Sequence, residues 1–529
     1  MNKYQKRNKA RFAGALVCIF ISNAFAVILQ FFKGDILDNA ISGETGATLQ
    51  SIILLITFIL GEILFYFGYR QFSARFVVGC TGMLKHDIFE SIISRDFTSF
   101  KKRPEGEYLA KYTNEADAIR TRRFEMLPLL WDILSKILFV AAALFRLDFG
   151  LAVITIVLLT TPLYLPKLIE KQLQKAQNDY LISVEDNLTK VTDWLRGFEI
   201  IKNYSIESKI LAKFNTANML SMEKLLKDMS LGAVSQLITT LISYLSYFIV
   251  LVYAAWLVLR GEFTAGSFFV AIGMIDQLSY PLISLAEIIR QLVAIRPACL
   301  KMEEFIAEGA SAESGKTLDT VRNVIRYHKV SFAYPGGKPI LSDFSFDARK
   351  GGSYLIKGPS GCGKTTAVNM LLRYYDADKG SIEIDGIPIT EYSSTYGCIT
   401  VVRQDAVLFH DTLRNNLTMY RDIPDDRLIS VLDSLGLSKF ANKAGLDSMI
   451  TENGSNLSGG EKKRICQARA LLRNTDVLIL DEPLANLDDV TADKIEDLLL
   501  EIEEKLLIVV SHQFTEDKVH YFDSVLTMG

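Results

Sequence analysis

The stretch "SYLIKGPSGCGKTTAVNMLLRYY" (353–375) contains a strand pattern, a glycine-rich turn and a helix pattern, in that order. Within it, residues 358–365 fit the pattern G-x-x-x-x-G-K-[ST] of a phosphate-binding loop, in the strand–loop–helix context that the pattern requires. The glycines allow backbone N–H groups to close around phosphates at the start of a helix. The ammonium of Lys364 can then reach the β- and γ-phosphates, and the hydroxyl of Thr365 can ligate Mg²⁺. This stretch therefore predicts a nucleotide-binding α/β domain.

A second apolar run ends in two acids and completes this site. The segment "DVLILDE" (476–482) has the composition of a buried parallel strand. Ligands lie at the carboxyl ends of such strands, so Asp481 and Glu482 are expected to emerge beside the phosphates. Asp481 suits Mg²⁺, and Glu482 is placed to polarise an attacking water molecule. The pattern predicts a hydrolytic site and not only a binding site.

The N-terminal part of the chain has a different character, because long apolar runs dominate it. The whole chain has 529 residues, of which 49% are hydrophobic, a high share for a soluble protein. Each of six runs has roughly the 20 residues that cross a bilayer. Their limits are 12–32, 50–69, 127–146, 150–169, 234–259 and 265–289. Six such runs in succession predict a membrane domain with six helices, of which the last is the most interrupted by polar residues.

Charge orients these spans. The N-terminal segment and the two long connections after the second and fourth spans are rich in lysine and arginine, whereas the loop after the first span is acidic. Basic connections stay in the cytoplasm. The sequence therefore predicts a multi-pass protein of the cytoplasmic membrane with both termini and the nucleotide-binding domain in the cytoplasm. The long inner connections look helical, so the membrane helices are expected to extend well beyond the lipid.

The composition argues against nucleic-acid binding, a cysteine metal site and a cleaved signal peptide. The net charge of −3 gives no general basic field for nucleic acid. The six cysteines are scattered without the spacing of metal ligands. The apolar run after the basic N-terminus is too long for a cleavable signal peptide, and no peptidase-like segment is expected before the first span.

The fold class expected from these patterns is a membrane α-helical bundle of six transmembrane helices with long cytoplasmic extensions, joined to an α/β P-loop NTPase domain. Alternation around "NVIRYHKVSFAYPGG" (323–337) adds an antiparallel β-subdomain to that domain. The expected limits are a transmembrane domain at 1–308, a polar linker at 309–322 and a nucleotide-binding domain at 323–529.

With these motifs in order, the chain resembles an ABC transporter of the exporter type, a half-transporter with six spans and one ATP-binding cassette. The segments "LSGGE" (457–461), "VVRQD" (401–405), "DEPLANLD" (481–488) and "VVSHQ" (509–513) are similar to the family's signature motif, glutamine loop, acid strand with dimer loop, and switch histidine. The resemblance implies catalytic roles for Glu482, His512 and Gln404, and Mg²⁺ contacts for Thr365, Gln404 and Asp481. It implies ATP contacts for Tyr334, Gly358, Ser360, Gly361, Cys362, Gly363, Lys364, Thr365, Thr366, Ser458, Gly459, Gly460 and Asp488.

The resemblance also implies a dimer, because the family's signature loop serves the phosphate-binding loop of the partner. Ser458, Gly459 and Gly460 offer a hydroxyl and backbone N–H groups at a helix start, where a γ-phosphate is favoured. Since Glu482 and the signature are both intact, a homodimer is favoured, with an unlike second half-transporter as the alternative. The implied activity is ATP-driven export or flipping of an amphipathic or hydrophobic substrate, such as a drug, peptide or lipid. An ATP-gated channel or regulator is the alternative of another class.

Two segments of the inner connections resemble the coupling loops of exporters, at 97–120 and 194–214. Polar residues within the spans are candidates for substrate contact. Asp132 and Lys136 lie four residues apart and can pair with each other. The excess of acids favours a cationic amphiphile over peptides or lipids. The candidate residues are Glu62, Asp132, Lys136, Asp276, Gln277, Tyr280, Glu287 and Gln291.

Overall fold

The computed structural model describes residues 1–161, 170–309, 316–334, 336–359, 361–485, 489–502, 504–511 and 514–528. These residues form two compact units. The first unit comprises Met1–Phe89 and Leu109–Phe305, and the second comprises Glu90–Tyr108 and Ile306–Gly529. In this division, a short segment of the N-terminal half, Glu90–Tyr108, groups with the C-terminal part. The domain limits expected from the sequence remain a prediction.

The described residues of the N-terminal part of the chain form helices joined by short turns. Two π-helical turns, Lys111–Glu115 and Arg120–Phe124, interrupt one long helix between Glu105 and Leu147. The helices are α1 (Asn2–Arg7), α2 (Lys9–Ile41), α3 (Thr45–Ile93), α4 (Phe97–Lys101), α5 (Glu105–Ala110), α6 (Ala116–Ile119), α7 (Met126–Leu147), α8 (Phe149–Thr160), α9 (Glu170–Arg196), α10 (Phe198–Asn203), α11 (Glu207–Leu259), α12 (Ala265–Ala294) and α13 (Arg296–Gly309).

Membrane-spanning helices are confirmed. Four described helices are long and apolar enough to cross a bilayer, namely α2, α3, the helix Glu105–Leu147 and α11. With 49 and 53 residues, α3 and α11 are more than twice as long as the roughly 20 residues that cross a bilayer, so the predicted extensions are present. The predicted fourth span begins with α8 and continues into residues 162–169, which lie outside the described residues. The sixth corresponds to α12, whose apolar part is the shorter stretch Ala265–Leu278.

The interior of the first unit lies among α2, α7, α8, α11 and α12. Small and branched residues of these helices are buried together, among them Val140, Ala152, Ala254, Ala271 and Met274. Small side chains allow membrane helices to approach closely. By contrast, α3 leaves most of its apolar side chains exposed, as a helix that faces lipid does.

The described residues of the second unit form three β-sheets. The central sheet is parallel, with the strand order β11-β4-β10-β9-β8, and an antiparallel sheet has the order β3-β2-β5-β6. The strands are β1 (Lys316–Thr317), β2 (Val324–Ala333), β3 (Pro339–Arg349), β4 (Ser353–Lys357), β5 (Lys379–Ile384), β6 (Ile387–Pro388), β7 (Tyr392–Ser394), β8 (Ile399–Val402), β9 (Val477–Asp481), β10 (Leu506–Val510) and β11 (Ser524–Thr527). The parallel and antiparallel sheets were both predicted.

Helices and 3₁₀ turns complete the second unit. One apolar core lies between the parallel and antiparallel sheets, and a second lies between the parallel sheet and the helices. The helices are α14 (Lys364–Leu371), α15 (Leu413–Thr418), α16 (Asp425–Ser434), α17 (Lys443–Leu446), α18 (Gly459–Leu472) and α19 (Asp489–Leu500), and the 3₁₀ turns are Ile389–Glu391, Ser438–Phe440, Glu452–Gly454 and Glu516–Tyr521.

Strand register determines where the functional groups meet. In the parallel sheet, β10 lies between β4 and β9, and its residue Val510 pairs with Ile356 on one side and Asp481 on the other. The loop after β4 and the acids after β9 therefore emerge at the same edge of the sheet. This arrangement matches the sequence-based expectation for the two motifs.

Candidate nucleotide site

The glycine-rich loop turns tightly from β4 into α14. Gly361 and Gly363 have φ angles of +85° and +104°, a region that residues with a Cβ rarely adopt. A Cβ at Gly363 would also lie 2.9 Å from a methyl group of Leu341. Glycine is therefore required for this turn, which directs the N-terminus of α14 toward the space at the sheet edge.

The ammonium of Lys364 lies inside the loop. Its Nζ donates hydrogen bonds to the carbonyl oxygens of Gly358 at 2.7 Å and Pro359 at 3.0 Å, and the side chain is only 8% exposed. The Sγ of Cys362 lies 4.0 Å from the same nitrogen. A buried cation at the start of a helix makes this loop a binding place for an anion.

Two acids face the loop from the end of β9. Asp481 and Glu482 are 4% and 9% exposed. The hydroxyl of Thr365 donates a hydrogen bond to Oδ2 of Asp481 at 3.0 Å. Burial raises the pKa of Asp481, whereas Thr365, Arg403 and Lys364 act in the opposite direction. A hydroxyl and a carboxylate in contact are oxygen ligands of the kind Mg²⁺ prefers, so the donors present fit that ion.

A cavity of about 540 Å³ connects these groups. Tyr334 forms one of its walls, where its ring packs edge-on against Tyr375 and its hydroxyl lies 3.3 Å from that of Thr366. The exposed side chain of Gln404 also lines the cavity. The remaining lining residues include Gly358, Gly361, Gly363, Lys364, Thr365, Asp481 and Glu482. The structure thus brings most of the predicted phosphate and metal contacts together in one chain.

The signature residues lie elsewhere in the second unit. Ser458 caps α18: its side chain accepts a hydrogen bond from the N–H of Glu461, and the carboxylate of Glu461 accepts one from the N–H of Ser458. Among the described residues, the amides of Gly459 and Gly460 donate to no partner, and none of these signature residues lines the cavity. The hydroxyl of Ser458, expected to face a phosphate, is therefore engaged in its own helix, while the two glycine amides remain available.

Three predicted site residues lie outside the described part of the chain. They are Ser360 in the phosphate-binding loop, Asp488 in the segment after the acids, and His512 after β10. Their roles remain predictions from the resemblance.

Sequence reasoning missed the residues that position Glu482. The backbone of Glu482 has a φ of +53°, which is unusual for a residue with a side chain. Lys463 of α18, only 3% exposed, donates hydrogen bonds to the carbonyl oxygens of Glu482 and Ala485. Gln467, one turn later, donates to the carbonyl of Pro483 at 2.9 Å. Burial lowers the pKa of Lys463, and the charges of Glu482 and Asp481 oppose that shift.

The first predicted coupling segment contacts the remainder of the second unit. The carboxylate of Asp96 caps α4 through the N–H of Ser99. Phe97 stacks on Tyr374, with ring centroids 3.5 Å apart and an angle of 14° between the rings. The hydroxyl of Thr98 donates to the carbonyl of Tyr374 at 2.9 Å. The second predicted segment, in the first unit, exposes apolar side chains of α10, including Phe198 and Ile200.

The polar residues of the membrane helices have mixed environments. Asp132 accepts a hydrogen bond from the amide of Asn23 at 3.0 Å, and the described structure contains no ion pair between Asp132 and Lys136. The predicted pairing of these two residues is therefore not observed as a contact; Lys136 acts on Asp132 through space, and the contact to the carboxylate comes from Asn23 of α2. Glu287 pairs with Arg290 at 2.6 Å and accepts a hydrogen bond from Gln291. The side chain of Tyr280 lies outside the described residues.

Comparison with known proteins gives a consistent result for both parts of the chain. A profile of the ABC transporter transmembrane region matches residues 12–282, and a profile of the ABC transporter ATP-binding domain matches residues 341–485. The chain is 26% identical over 528 residues to an ATP-dependent lipid A-core flippase of Syntrophus aciditrophicus, covering 97% of this chain and 87% of the relative.

Two further proteins are similar to this chain along most of its length. The chain is 26% identical over 533 residues to a putative multidrug export ATP-binding/permease protein of Bacillus subtilis, covering 97% and 90% of the two chains. A solved structure of a bacterial Atm1-family ABC exporter with ATP bound has the same fold, with a TM-score of 0.78 and 23% identity, over 100% of this chain and 94% of the other.

Proposed function

Since this chain belongs to the ABC transporter family and couples ATP hydrolysis to export across a membrane, we propose that two copies of it form a homodimer that exports or flips an amphipathic substrate. In this homodimer each ATP binds between the phosphate-binding loop of one copy and the signature residues of the other. Both termini and the nucleotide-binding domain lie in the cytoplasm, as the distribution of basic residues indicates.

One observation carries the proposal. The cavity around Lys364 contains cationic, hydroxyl and carboxylate groups, but the exposed Gly459 and the partly exposed Gly460 at the start of α18 do not line it. A helix start with two available N–H groups is a place for an anion. In one copy this feature has no phosphate to contact, whereas a head-to-tail pair of copies supplies one to each helix.

Several residues of the cavity then have a role in ATP binding. The adenine ring stacks on Tyr334, and the phosphates lie against the loop amides and the ammonium of Lys364. Thr365, Asp481 and Gln404 would hold Mg²⁺, whose charge offsets that of the phosphates.

Hydrolysis depends on the residues at the end of β9. Glu482 orients and polarises the attacking water, while the carbonyl contacts of Lys463 hold its strained backbone in place. Gln404, and His512 outside the described residues, complete the proposed catalytic set. Asp488, also outside the described residues, is proposed to contact the partner copy.

The substrate is proposed from the relatives and from the membrane unit. One relative is named a lipid A-core flippase and the Bacillus subtilis relative is named a putative multidrug export protein, and the proposed substrate class includes lipids and drugs for this reason. Polar groups within the membrane helices provide places where the polar part of such a molecule could be held.

A crosslinking experiment tests the dimer. Ser458→Cys places a thiol in the signature of one copy, opposite the native Cys362 in the loop of the other. In a Glu482→Gln background that retains ATP, a short bifunctional thiol reagent should yield a crosslinked dimer only when ATP is present. The same variant with Cys362→Ala should yield none.

Hydrolysis provides the second readout. The chain purified alone should hydrolyse ATP, and Glu482→Gln should reduce kcat by about 10²-fold or more, as expected for loss of a general base. An inactive purified chain that gains ATPase activity only with an unlike half would favour the heterodimer. Low ATPase activity that Glu482→Gln leaves unchanged would favour an ATP-gated channel or regulator.

A further inference from the structure

The first unit contains a polar cavity of about 520 Å³ where three membrane helices meet. Helix α12 packs against both α2 and α7, which also pack against each other. Residues of all three helices line the cavity; its polar groups belong to Gln30 and Lys33 of α2, Lys136 of α7, and Asp276 and Gln277 of α12. Cavities of this size hold small ligands or the polar part of larger ones.

Two features of the helices explain why a cavity exists here. Pro281 lies inside α12 and also lines the cavity. Proline has no N–H, so the carbonyl of Gln277, four residues earlier, lacks its helical donor. Nearby, Gly273 allows the amide of Gln30 to lie against α12, since a Cβ there would be 2.4 Å from the Oε1 of Gln30. Interrupted membrane helices of this kind are tolerated where they line a polar site.

The lining of this cavity has two basic side chains and one acidic side chain, and neither lysine forms an ion pair within the described part of the chain. In the described part of the chain, the half-buried Lys136 makes no hydrogen bond or ion pair, and Asp132, its expected partner, is bound to Asn23. Among the described residues, the ammonium of Lys33 contacts the side chain of Gln30, at 3.5 Å. Glu62 interacts with both lysines through space and Asp132 interacts with Lys136 in the same way, but neither acid lines the cavity. Ionisable groups within membrane helices are normally paired, so an unpaired lysine facing a cavity indicates an anionic ligand.

We propose that this cavity binds the acidic head group of a lipid-like substrate, with a phosphate or carboxylate held between Lys33 and Lys136. The amides of Gln30 and Gln277 hydrogen-bond to the remaining head-group oxygens, and Asp276 accepts from a hydroxyl or ammonium beside the acid. The two ammonium groups and one carboxylate of the lining reverse the cationic preference that the sequence suggested. The inference rests on the proposed export function, and it specifies the substrate class.

Lipid is favoured over peptide because the cavity lies among helices that cross the bilayer, where the acyl chains of a lipid can remain in the membrane while its head group enters. The test therefore uses the full-length chain in nanodiscs of phosphatidylcholine. Phosphatidic acid, the neutral lipid diacylglycerol, and a quaternary ammonium amphiphile are added separately. Native mass spectrometry counts the bound molecules, so binding is measured without reference to ATPase activity.

The variants separate charge at the cavity from charge at the membrane surface. Lys136→Gln and Lys33→Gln should each weaken binding of phosphatidic acid about tenfold or more, as loss of a charged hydrogen bond predicts. Lys9 is exposed at the N-terminal end of α2, the helix that also contains Lys33. Lys9→Gln should leave the binding of phosphatidic acid unchanged. Asp276→Asn should bind phosphatidic acid at least as well as the natural chain does.

Two results would overturn the inference. One is binding of phosphatidic acid that neither Lys136→Gln nor Lys33→Gln weakens. The other is preferential binding of the quaternary ammonium amphiphile that Asp276→Asn abolishes. A short acidic peptide that displaces phosphatidic acid would assign the site to peptides instead. In each case ATP-dependent crosslinking through Ser458→Cys would still support the proposed dimer, so the two proposals fail separately.

Discussion

Replacement of Lys463 by methionine tests whether the signature helix holds the hydrolytic acid in position. Methionine keeps most of the side-chain volume but removes both hydrogen bonds to the carbonyl oxygens of Glu482 and Ala485. Hydrogen bonds from charged donors contribute about 1.5–3 kcal/mol each, and the variant no longer has to bury an ammonium. The net loss should therefore be about 2–3 kcal/mol.

Part of this loss should appear as slower hydrolysis. A left-handed backbone at Glu482 costs about 1–3 kcal/mol and persists only while its surroundings hold it. If between half and all of this loss, about 1–3 kcal/mol, raises the barrier to hydrolysis, kcat should fall about 5- to 150-fold. The affinity for ATP should change little, because Lys463 does not line the cavity. Thermal unfolding of the second unit should shift down by roughly 4–12 °C.

Lys462→Met is the matched control, since the side chain of this neighbouring lysine makes no hydrogen bond with the described residues, and the substitution leaves its backbone N–H on the carbonyl of Ser458. Its kcat and unfolding temperature should equal those of the natural chain. Lys463→Gln keeps a donor and should have an intermediate kcat. Steady-state ATPase kinetics and ATP binding, measured on the same nanodisc samples, separate kcat from affinity. A Lys463→Met variant with kcat within twofold of Lys462→Met would refute the positioning role.

Two further predictions concern the second unit. Phe97→Ala removes an aromatic stack worth about 0.5–1.5 kcal/mol, so the amount transported per ATP hydrolysed in proteoliposomes should fall while basal ATPase activity stays within about threefold of normal. Phe97→Tyr keeps the ring on Tyr374 and should behave like the natural chain. An unchanged ratio of transport to hydrolysis in Phe97→Ala would contradict a coupling role. Alkylation of the partly exposed Cys362 by N-ethylmaleimide should inhibit ATPase activity, and bound ATP should protect the thiol from alkylation. The ATPase activity of Cys362→Ala should resist the reagent. Full labelling of Cys362 without inhibition would exclude the loop from the ATP site.

The parts of the fold that sequence predicted are those specified by contiguous patterns. The loop from Gly358 to Thr365 carries its glycines at the positions where the turn requires them. The strand Val477–Asp481 is apolar up to its last residue, because it is buried on both faces. The capping box of α18 was also readable, since Ser458 and Glu461 have the S-x-x-E spacing of that motif. Reading it would have shown that the hydroxyl of Ser458 is occupied.

Contacts between distant segments could not be predicted in the same way. The spacing of Asp132 and Lys136 favours a pair on one helix, but Asn23 from another helix provides a closer partner for the carboxylate. Lys463 appears in sequence as one of two adjacent solvated lysines; only the packing of α18 against the end of β9 shows that it is buried. Such contacts depend on tertiary structure, which overrides local spacing.

The contact at α4 also bears on how the nucleotide site is coupled to the coupling segment. Phe97 stacks on Tyr374, the guanidinium of Arg403 lies 5.4 Å from the Tyr374 ring, and Arg403 is one of the charges that oppose the raised pKa of Asp481. Two residues therefore connect the coupling segment to the proposed metal ligand. One stack and one hydrogen bond supply only about 1–3 kcal/mol, the size of a typical coupling energy between sites. A coupling energy of that size from a single contact is small for driving export. We therefore expect the exposed apolar residues of α10 to provide a second coupling contact when two copies associate.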